Sequence, residues 1–329
     1  MKRLSVLHQF LDTVKRHNLL KEKSKILVGI SGGADSVCLL DLLRVVAAKY
    51  HLKIFALHIN HQLRESAQRD EEFVRRLCKS WGVKLEVVTV DVQGYAKRTK
   101  SSIEEAARQL RYYHYQRVAR RLRCDTICLG HNADDNLETV VLNLARGAGL
   151  RGLAGIPIRR ENIVRPLLEI KREAIRGYLK ARGIEWVEDE TNLDIRFRRN
   201  LIRQEIVPLL KKINPGVVDN VLRTSRIISE EDLFLDFLAS RVLDKIGSFA
   251  RREAAIDIKE FNGYNNILKR RMLRLLMPEL DALSVERALG LITKGCQGRH
   301  QLKAGIEIVV KKDKLKIPLI LPRSKNGSC

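Results

Sequence analysis

Between residues 25 and 145 the chain alternates short apolar runs with stretches of helical length, and no other feature limits the fold as much. The runs are KILVGI (25–30), KIFALHIN (53–60), KLEVVTVDV (84–92) and DTICLG (125–130). They are short, β-branched and leucine-rich, as buried strands are. Helical spacing follows each of them, over 34–49, 66–80, about 102–123 and 132–145. Ser102 and Glu105 stand at capping-box spacing at the start of the third of these helices. Apolar strands alternating with helices build parallel βαβ units with both sheet faces covered. Ligands of such sheets bind beyond the carboxyl ends of the strands. That rule brings residues 31–36, 58–61 and 131–138 to one edge.

An amphipathic stretch, Leu4, Leu7, Leu11 and Val14, precedes the first strand. After the last strand the glycine-rich GAGLRGLAGIP (147–157) reads as a loop. A strand over 162–168 and helices over 171–182 and 198–213 complete the expected first domain. Asn214-Pro215-Gly216 then breaks the chain. The expected division is a catalytic nucleotide-binding domain over 1–213, a smaller helical domain with a β-hairpin over 214–322, and a loose tail over 323–329. In the second domain 217–246, 265–276 and 284–293 have helical patterns. LKAGIEIVVKKDKLKIPL (302–319) reads as a hairpin turning at Lys312-Asp313.

Of the 329 residues 45% are hydrophobic, enough for a sizeable core, and the net charge is +23. Residues 1–213 hold 41 basic and 25 acidic side chains against 21 and 14 in the remainder. Such an excess points to a polyanionic partner. Aromatics at 5% argue against a surface that binds bases mainly by stacking. No apolar run reaches the length of a membrane span, and the first 20 residues lack a secretory pattern, so a cytoplasmic protein without membrane contact is expected. The cysteines, Cys38, Cys78, Cys124, Cys128, Cys296 and Cys329, form no CxxC pair and read as reduced thiols.

The sharpest chemical signal is SGGADS, Ser31 to Ser36, directly after a strand and before a helix. It is neither a Walker A sequence nor GxGxxG, but the physics is shared. Gly32 and Gly33 let the backbone turn tightly beside an anion. Ser31 and Ser36 offer hydroxyls, and the helix start at Ala34 offers free N–H groups and a positive dipole end. Asp35 beside phosphates would repel them unless a bridging Mg²⁺ intervenes, so Asp35 is assigned to metal or nucleotide positioning. A second signal is GHNADDNLET (130–139). It places His131 at a strand end and Asp134, Asp135 and Glu138 on the first turns of a helix. Converging carboxylates suit a cation, and acids are also favoured in any first turn as caps.

SGGxDS after a strand resembles the pyrophosphate loop of the N-type ATP pyrophosphatases. Within that superfamily, HINHQLRESAQRDE (58–71), EAARQLRY (105–112), RGAGLRGLAG (146–155), RPLL (165–168) and DETNLDIRFRRNLIR (189–203) together resemble the tRNA(Ile)-lysidine synthetase family. The resemblance covers roughly 25–215. It implies a parallel-sheet nucleotide-binding fold and a ligase that uses ATP and Mg²⁺. The C2 oxygen of the wobble cytidine of an isoleucine tRNA with a CAU anticodon is adenylated, and free L-lysine then displaces AMP. On that basis Ser31, Gly32, Gly33, Ala34, Asp35, Ser36 and His131 bind ATP, and Asp135 and Glu138 bind lysine. Asp35, Arg111, His131, Asp135 and Glu138 are the catalytic candidates, with one of the two acids taking the ammonium's proton.

Other motifs carry less. His58, Asn60 and His61 lack the usual metal-ligand set and read as polar strand-end residues. Arg196, Arg199 and Arg203 share a helical face suited to phosphates of an anticodon stem. Lys97, Arg98, Lys100, Arg117, Arg120, Arg121 and Arg123 are RNA-backbone candidates. Two alternatives compete: a tRNA base thiolase of the same superfamily, and a non-catalytic RNA-binding relative. The absence of CxxC counts against the first. The intact SGGADS and His/Asp/Glu set count against the second.

Overall fold

The computed structural model describes residues 5–62, 67–188, 198–250 and 253–318. Contacts divide the chain into two compact units, 1–226 and 227–329.

In the first unit α1 (Val6–Arg16) precedes three βα repeats. These are β1 (Lys25–Gly29) with α2 (Ala34–Tyr50), β2 (Lys53–Asn60) with α3 (Ala67–Ser80), and β3 (Lys84–Thr89) with α4 (Val92–Thr99) and α5 (Ile103–Leu122). Then come β4 (Thr126–Cys128), α6 (Ala133–Ala145), a single turn α7 (Leu150–Leu153), β5 (Arg159–Arg160), β6 (Ile163–Val164) and α8 (Arg172–Ala181). Beyond the undescribed 189–197, α9 (Arg198–Leu201) runs through a π-helical turn (Ile202–Ile206) into α10 (Val207–Ile213), and α11 (Val217–Ile246) follows.

The sheet order is β3-β2-β1-β4-β6-β5. All neighbours are parallel except β5, which folds back on β6. Strand order reverses between β1 and β4, and Val28 pairs with Cys128 there. The chain therefore leaves two adjacent strands at a switch point, where α/β sheets bind ligands. Alternating strand residues face opposite layers. Ile26, Val28, Ala56 and Cys128 pack towards α1, α2 and α8. Leu27, Phe55, Leu57 and Ile127 pack against Tyr115, Val118 and Ala119 of α5. Helix α2 is central, with Val37 to Leu40, Leu42 and Leu43 fully buried.

Several elements differ from the sequence reading. The strand expected over 84–92 stops at Thr89, and α4 begins at Val92 because the Asp91 side chain accepts from Gly94 N. The strand expected over 162–168 shrinks to Ile163–Val164. The expected loop 147–157 contains α7. The domain break expected at 214–216 falls instead within α11, at 226/227. Val217, Val218, Val221 and Leu222 of its first turns pack with Ala133, Leu137, Ile202 and Val207 of the first unit.

The second unit adds β7 (Gly247–Phe249), β8 (Glu253–Asp257), α12 (Ile258–Asn262), α13 (Asn266–Leu276), α14 (Ala282–Thr293), β9 (Gly298–Gln301), β10 (Glu307–Lys311) and β11 (Lys314–Pro318). The expected hairpin is β10–β11, closing at Lys311 and Lys314. It sits inside a five-stranded antiparallel sheet, β7-β8-β11-β10-β9. Phe261, Met272, Leu273, Ile292, Ile308 and Leu315 form its core. Among the described residues no helix is long and apolar enough to cross a membrane.

Candidate active site

Ser31 to Ser36 carry the chain from β1 into α2. Gly32 adopts φ 93°, a left-handed conformation natural to glycine, and its carbonyl accepts from Val187 N at 2.9 Å. Ser36 Oγ donates to Gly33 O at 3.0 Å and accepts from Ser31 N at 3.1 Å. Ser31 Oγ accepts from Gly33 N at 3.3 Å. The two hydroxyls thus hold the turn in shape. Among the described residues no side chain caps α2, so its first-turn N–H groups and dipole are placed for an anion. The loop after β4 presses against this turn. A Cβ on Gly130 would lie 3.0 Å from the Asp35 carbonyl carbon and oxygen, so only glycine fits without displacing the turn.

Asp35 is half-buried and its Oδ1 accepts from Asn132 Nδ2 at 2.9 Å. Burial and the Asp135 charge push its carboxyl up to about 6. Asn132 opens α6 in a capping box: Asp135 N donates to Asn132 Oδ1 at 2.9 Å, and Asn132 N donates to Asp135 Oδ2 at 3.0 Å. The helix-capping role of these acids and their place in an ionic cluster hold together. Arg172 Nη2 lies 3.0 Å from both Asp135 Oδ1 and Glu138 Oε1. Arg199 Nε donates to Glu138 Oε2 at 2.9 Å. Arg203 makes a two-pronged contact with Glu138, at 2.7 and 3.0 Å. Asp134 accepts from Arg172 N at 2.9 Å and from Lys211 at 3.2 Å. Glu138 is 1% exposed. Burial alone would raise its pKa, but the Arg203 hydrogen bond and the charges of Arg172, Arg199 and Arg203 outweigh it and hold it at about 2.

A cavity of about 420 Å³ opens at the strand ends. Ser31, Asp35, Ser36, His58, Asn60, His61, Arg108, Arg111, Tyr112 and His131 line it. The structure therefore brings Asp35, Arg111 and His131 together, with Asp135 joined to Asp35 through Asn132 and Glu138 joined to Asp135 through Arg172, neither of them in the lining. Burial, then the charges of Arg165, Arg199, Arg111 and Arg108, drive the His131 pKa well below its usual value. The imidazole is neutral at pH 7, and its buried Nδ1 has no hydrogen-bond partner among the described residues. His58 Nδ1 is 3.0 Å from Ile30 O, and Asn60 Nδ2 donates to Glu71 at 2.9 Å, so these two brace the strand end.

Arg196, expected on the RNA face, lies outside the described residues. Arg199 and Arg203 do share a face, but it points at Glu138 and Asp135. Sequence reasoning missed Arg172, Lys211, Arg108 and Tyr112. Arg108 and Tyr112 stand in EAARQLRY at three before and one after Arg111, a spacing that was available. Arg172 and Lys211 reach the acids only through tertiary contacts and left no local signal.

A nucleotide-sized cavity at a helix start, with an acid cluster behind it, at the switch point of a parallel sheet, is the arrangement of a PP-loop nucleotide-binding protein, and residues 4–210 match the family model described as PP-loop domain. The chain is 34% identical to a tRNA(Ile)-lysidine synthase of Caldanaerobacter subterraneus, over 95% of this chain and 71% of that protein. It is 41% identical to one of Thermotoga maritima over 69% of this chain, and 44% identical to one of Pseudothermotoga lettingae over 62%. The chain belongs to the tRNA(Ile)-lysidine synthase family. It spans about half the length of the last two relatives, 54% and 46%. Among solved structures, a U34-tRNA thiolase of Methanococcus maripaludis shares the fold, with TM-score 0.57 at 19% identity over 68% of this chain and 78% of that one.

Proposed function

We propose that this chain joins free L-lysine to C2 of the wobble cytidine of tRNA(Ile) with a CAU anticodon, using ATP, so that the anticodon reads AUA in place of AUG. The observation that carries the reading is the joining of two sites at one sheet edge, a phosphate-ready turn and an interleaved set of carboxylates and guanidiniums. In the first step the C2 oxygen attacks the α-phosphorus and pyrophosphate leaves. In the second the lysine ε-amine attacks C2 and AMP leaves.

The residues divide the work as follows. The first-turn amides of Ala34, Asp35 and Ser36 take the phosphates, with Ser31, Gly32 and Gly33 shaping their seat. Asp35 suits Mg²⁺, which commonly takes one or two carboxylates and completes its shell with phosphates and water. The remaining shell is left to the nucleotide, since among the described residues no group of three or more metal-ligating side chains exists. When bound, the ion would neutralise phosphate charge. Neutral His131 contacts the α-phosphate or adenylate, and Arg111 faces the charge developing on the base. Free lysine is a zwitterion with an extra ammonium. Asp135 and Glu138 take ammonium, and a neighbouring arginine takes the carboxylate. Arg172, Arg199 and Arg203 already pair with Glu138, so lysine enters by displacing one of them, and one of the two acids takes the ammonium's proton. Arg199 and Arg203 reach RNA phosphates only by releasing Glu138. The phosphate grip therefore rests mainly on the exposed basic residues around them, with the second unit, 227–329, contributing RNA contacts.

The second reading, sulfur delivery to a tRNA base, would need a sulfur carrier at the cavity, and among the described residues no cysteine lines it. The test is mass analysis of tRNA(Ile) transcript after incubation with the protein, ATP, Mg²⁺ and isotope-labelled lysine. Label at one cytidine, with one pyrophosphate released per label, is the expected result. Sustained pyrophosphate release that leaves no lysine label on the tRNA would sink the reading.

A further inference from the structure

Arg165 directly follows β6 and is 3% exposed, yet among the described residues no carboxylate pairs with it. A buried unpaired cation is costly, and packing alone would be served by an apolar side chain. Its guanidinium is instead spent on two oxygens. Nη1 donates to Pro157 O at 2.5 Å and Nη2 to Tyr112 Oη at 3.2 Å. The remaining Nε is buried with no hydrogen-bond partner among the described residues. Tyr112 is fixed from its other sides as well. The Arg108 guanidinium lies 5.2 Å from its ring centre, and the Tyr115 ring meets it edge-on at 6.4 Å.

Arginine can only donate, so the Tyr112 oxygen is the acceptor and its own O–H is left over. Among the described residues none accepts from that hydroxyl, and Tyr112 lines the cavity beside His131 and Arg111. We propose that Tyr112 donates a hydrogen bond to a substrate oxygen in the cavity, a phosphoryl or base-carbonyl oxygen that gains negative charge during transfer, and that Arg165 is the positioning residue holding it there. Burial opposes ionisation of the phenol, but the charges of Arg165 and Arg108 outweigh it and draw its pKa down. That polarisation makes the O–H a stronger donor.

The inference rests on the ligase reading for its turnover arm only. Wild type, Tyr112→Phe, Arg165→Lys, Arg165→Met and the Tyr112→Phe/Arg165→Met double variant are compared. The readouts are ATP affinity by calorimetry, affinity for CAU-anticodon tRNA by filter binding, kcat and KM for pyrophosphate release, and Tm. Tyr112→Phe is expected to lose about tenfold in one affinity or in kcat/KM, with Tm nearly unchanged, the weight of one hydrogen bond to a charged group. Weaker ATP binding assigns the phosphoryl oxygen. A loss confined to tRNA binding or turnover assigns the base carbonyl. Arg165→Met should show a similar loss in the wild-type background and under twofold in the Tyr112→Phe background, with Arg165→Lys recovering part of it. Wild-type values for Tyr112→Phe throughout, or an equal loss from Arg165→Met in both backgrounds, would overturn the proposal. If Arg165→Met does not fold, Tyr112→Phe and Arg165→Lys decide. If the wild type binds ATP and tRNA but transfers no lysine, the ligase reading fails while the affinities still judge Tyr112.

Discussion

Replacing Glu138 by Gln removes one negative charge from a buried site gripped by Arg172, Arg199 and Arg203. The folded pKa is about 2 against an ordinary 4.5. At ~1.4 kcal/mol per tenfold, that difference is about 3 kcal/mol of stability at pH 7. Because the folded pKa is the lower one, the contribution is complete above pH 4.5 and fades as pH falls towards 2. At pH 3.5 about 1 kcal/mol of it has gone. The gap between wild type and Glu138→Gln should therefore narrow by that amount between pH 7 and 3.5, while groups common to both proteins cancel. Urea unfolding followed by circular dichroism at a series of pH values measures it, with the transition of the first unit read separately if two appear. A gap below ~0.5 kcal/mol at pH 7, or one that widens on acidification, would show that the guanidiniums do not stabilise the folded chain through this carboxylate.

Asp35→Asn should lower pyrophosphate release at least ~100-fold and abolish the Mg²⁺ dependence of ATP binding; a variant with wild-type turnover removes Asp35 from the mechanism. Gly130→Ala forces a methyl group to within 3.0 Å of the Asp35 backbone, so it should cost about 1–3 kcal/mol in stability and weaken ATP binding together. Differential scanning fluorimetry with and without ATP reads both, and an unchanged nucleotide affinity contradicts the interlock. Arg199→Ala should change the salt slope of log tRNA affinity by less than ~0.5, because the guanidinium is committed to Glu138; a change near 0.9 would mark a true phosphate contact.

Much of the nucleotide turn was legible because everything it needs is local. Strand, glycines, serines and helix start stand within a dozen residues, and β1 and α2 were bounded nearly to the residue. Alternation likewise disclosed β2, β4 and the parallel order. Asp91 shows where local reading stops. Its run, KLEVVTVDV, looks like strand throughout, yet a single carboxylate capping Gly94 N turns it into a helix start. The acid cluster was half visible. Spacing puts Asp135 and Glu138 on one face, but only the fold brings Arg172, Arg199 and Arg203 to them, from 34 to 65 residues beyond Glu138. For that reason Arg199 and Arg203, which read as part of an RNA-facing stripe, are found facing inward.

The π-helical turn at Ile202–Ile206 sets the phase of the helix that continues beyond those arginines. Ile202 and Val207 are five positions apart and both sink into one apolar seam, a match that the wider turn permits and ordinary α spacing would spoil. Deleting a single residue there would re-phase everything downstream by about 100°, carrying Lys211 away from Asp134 while leaving Arg199 where it is. Loop lengths elsewhere on the surface can drift among relatives, whereas this one-residue excess behaves as a gear tooth.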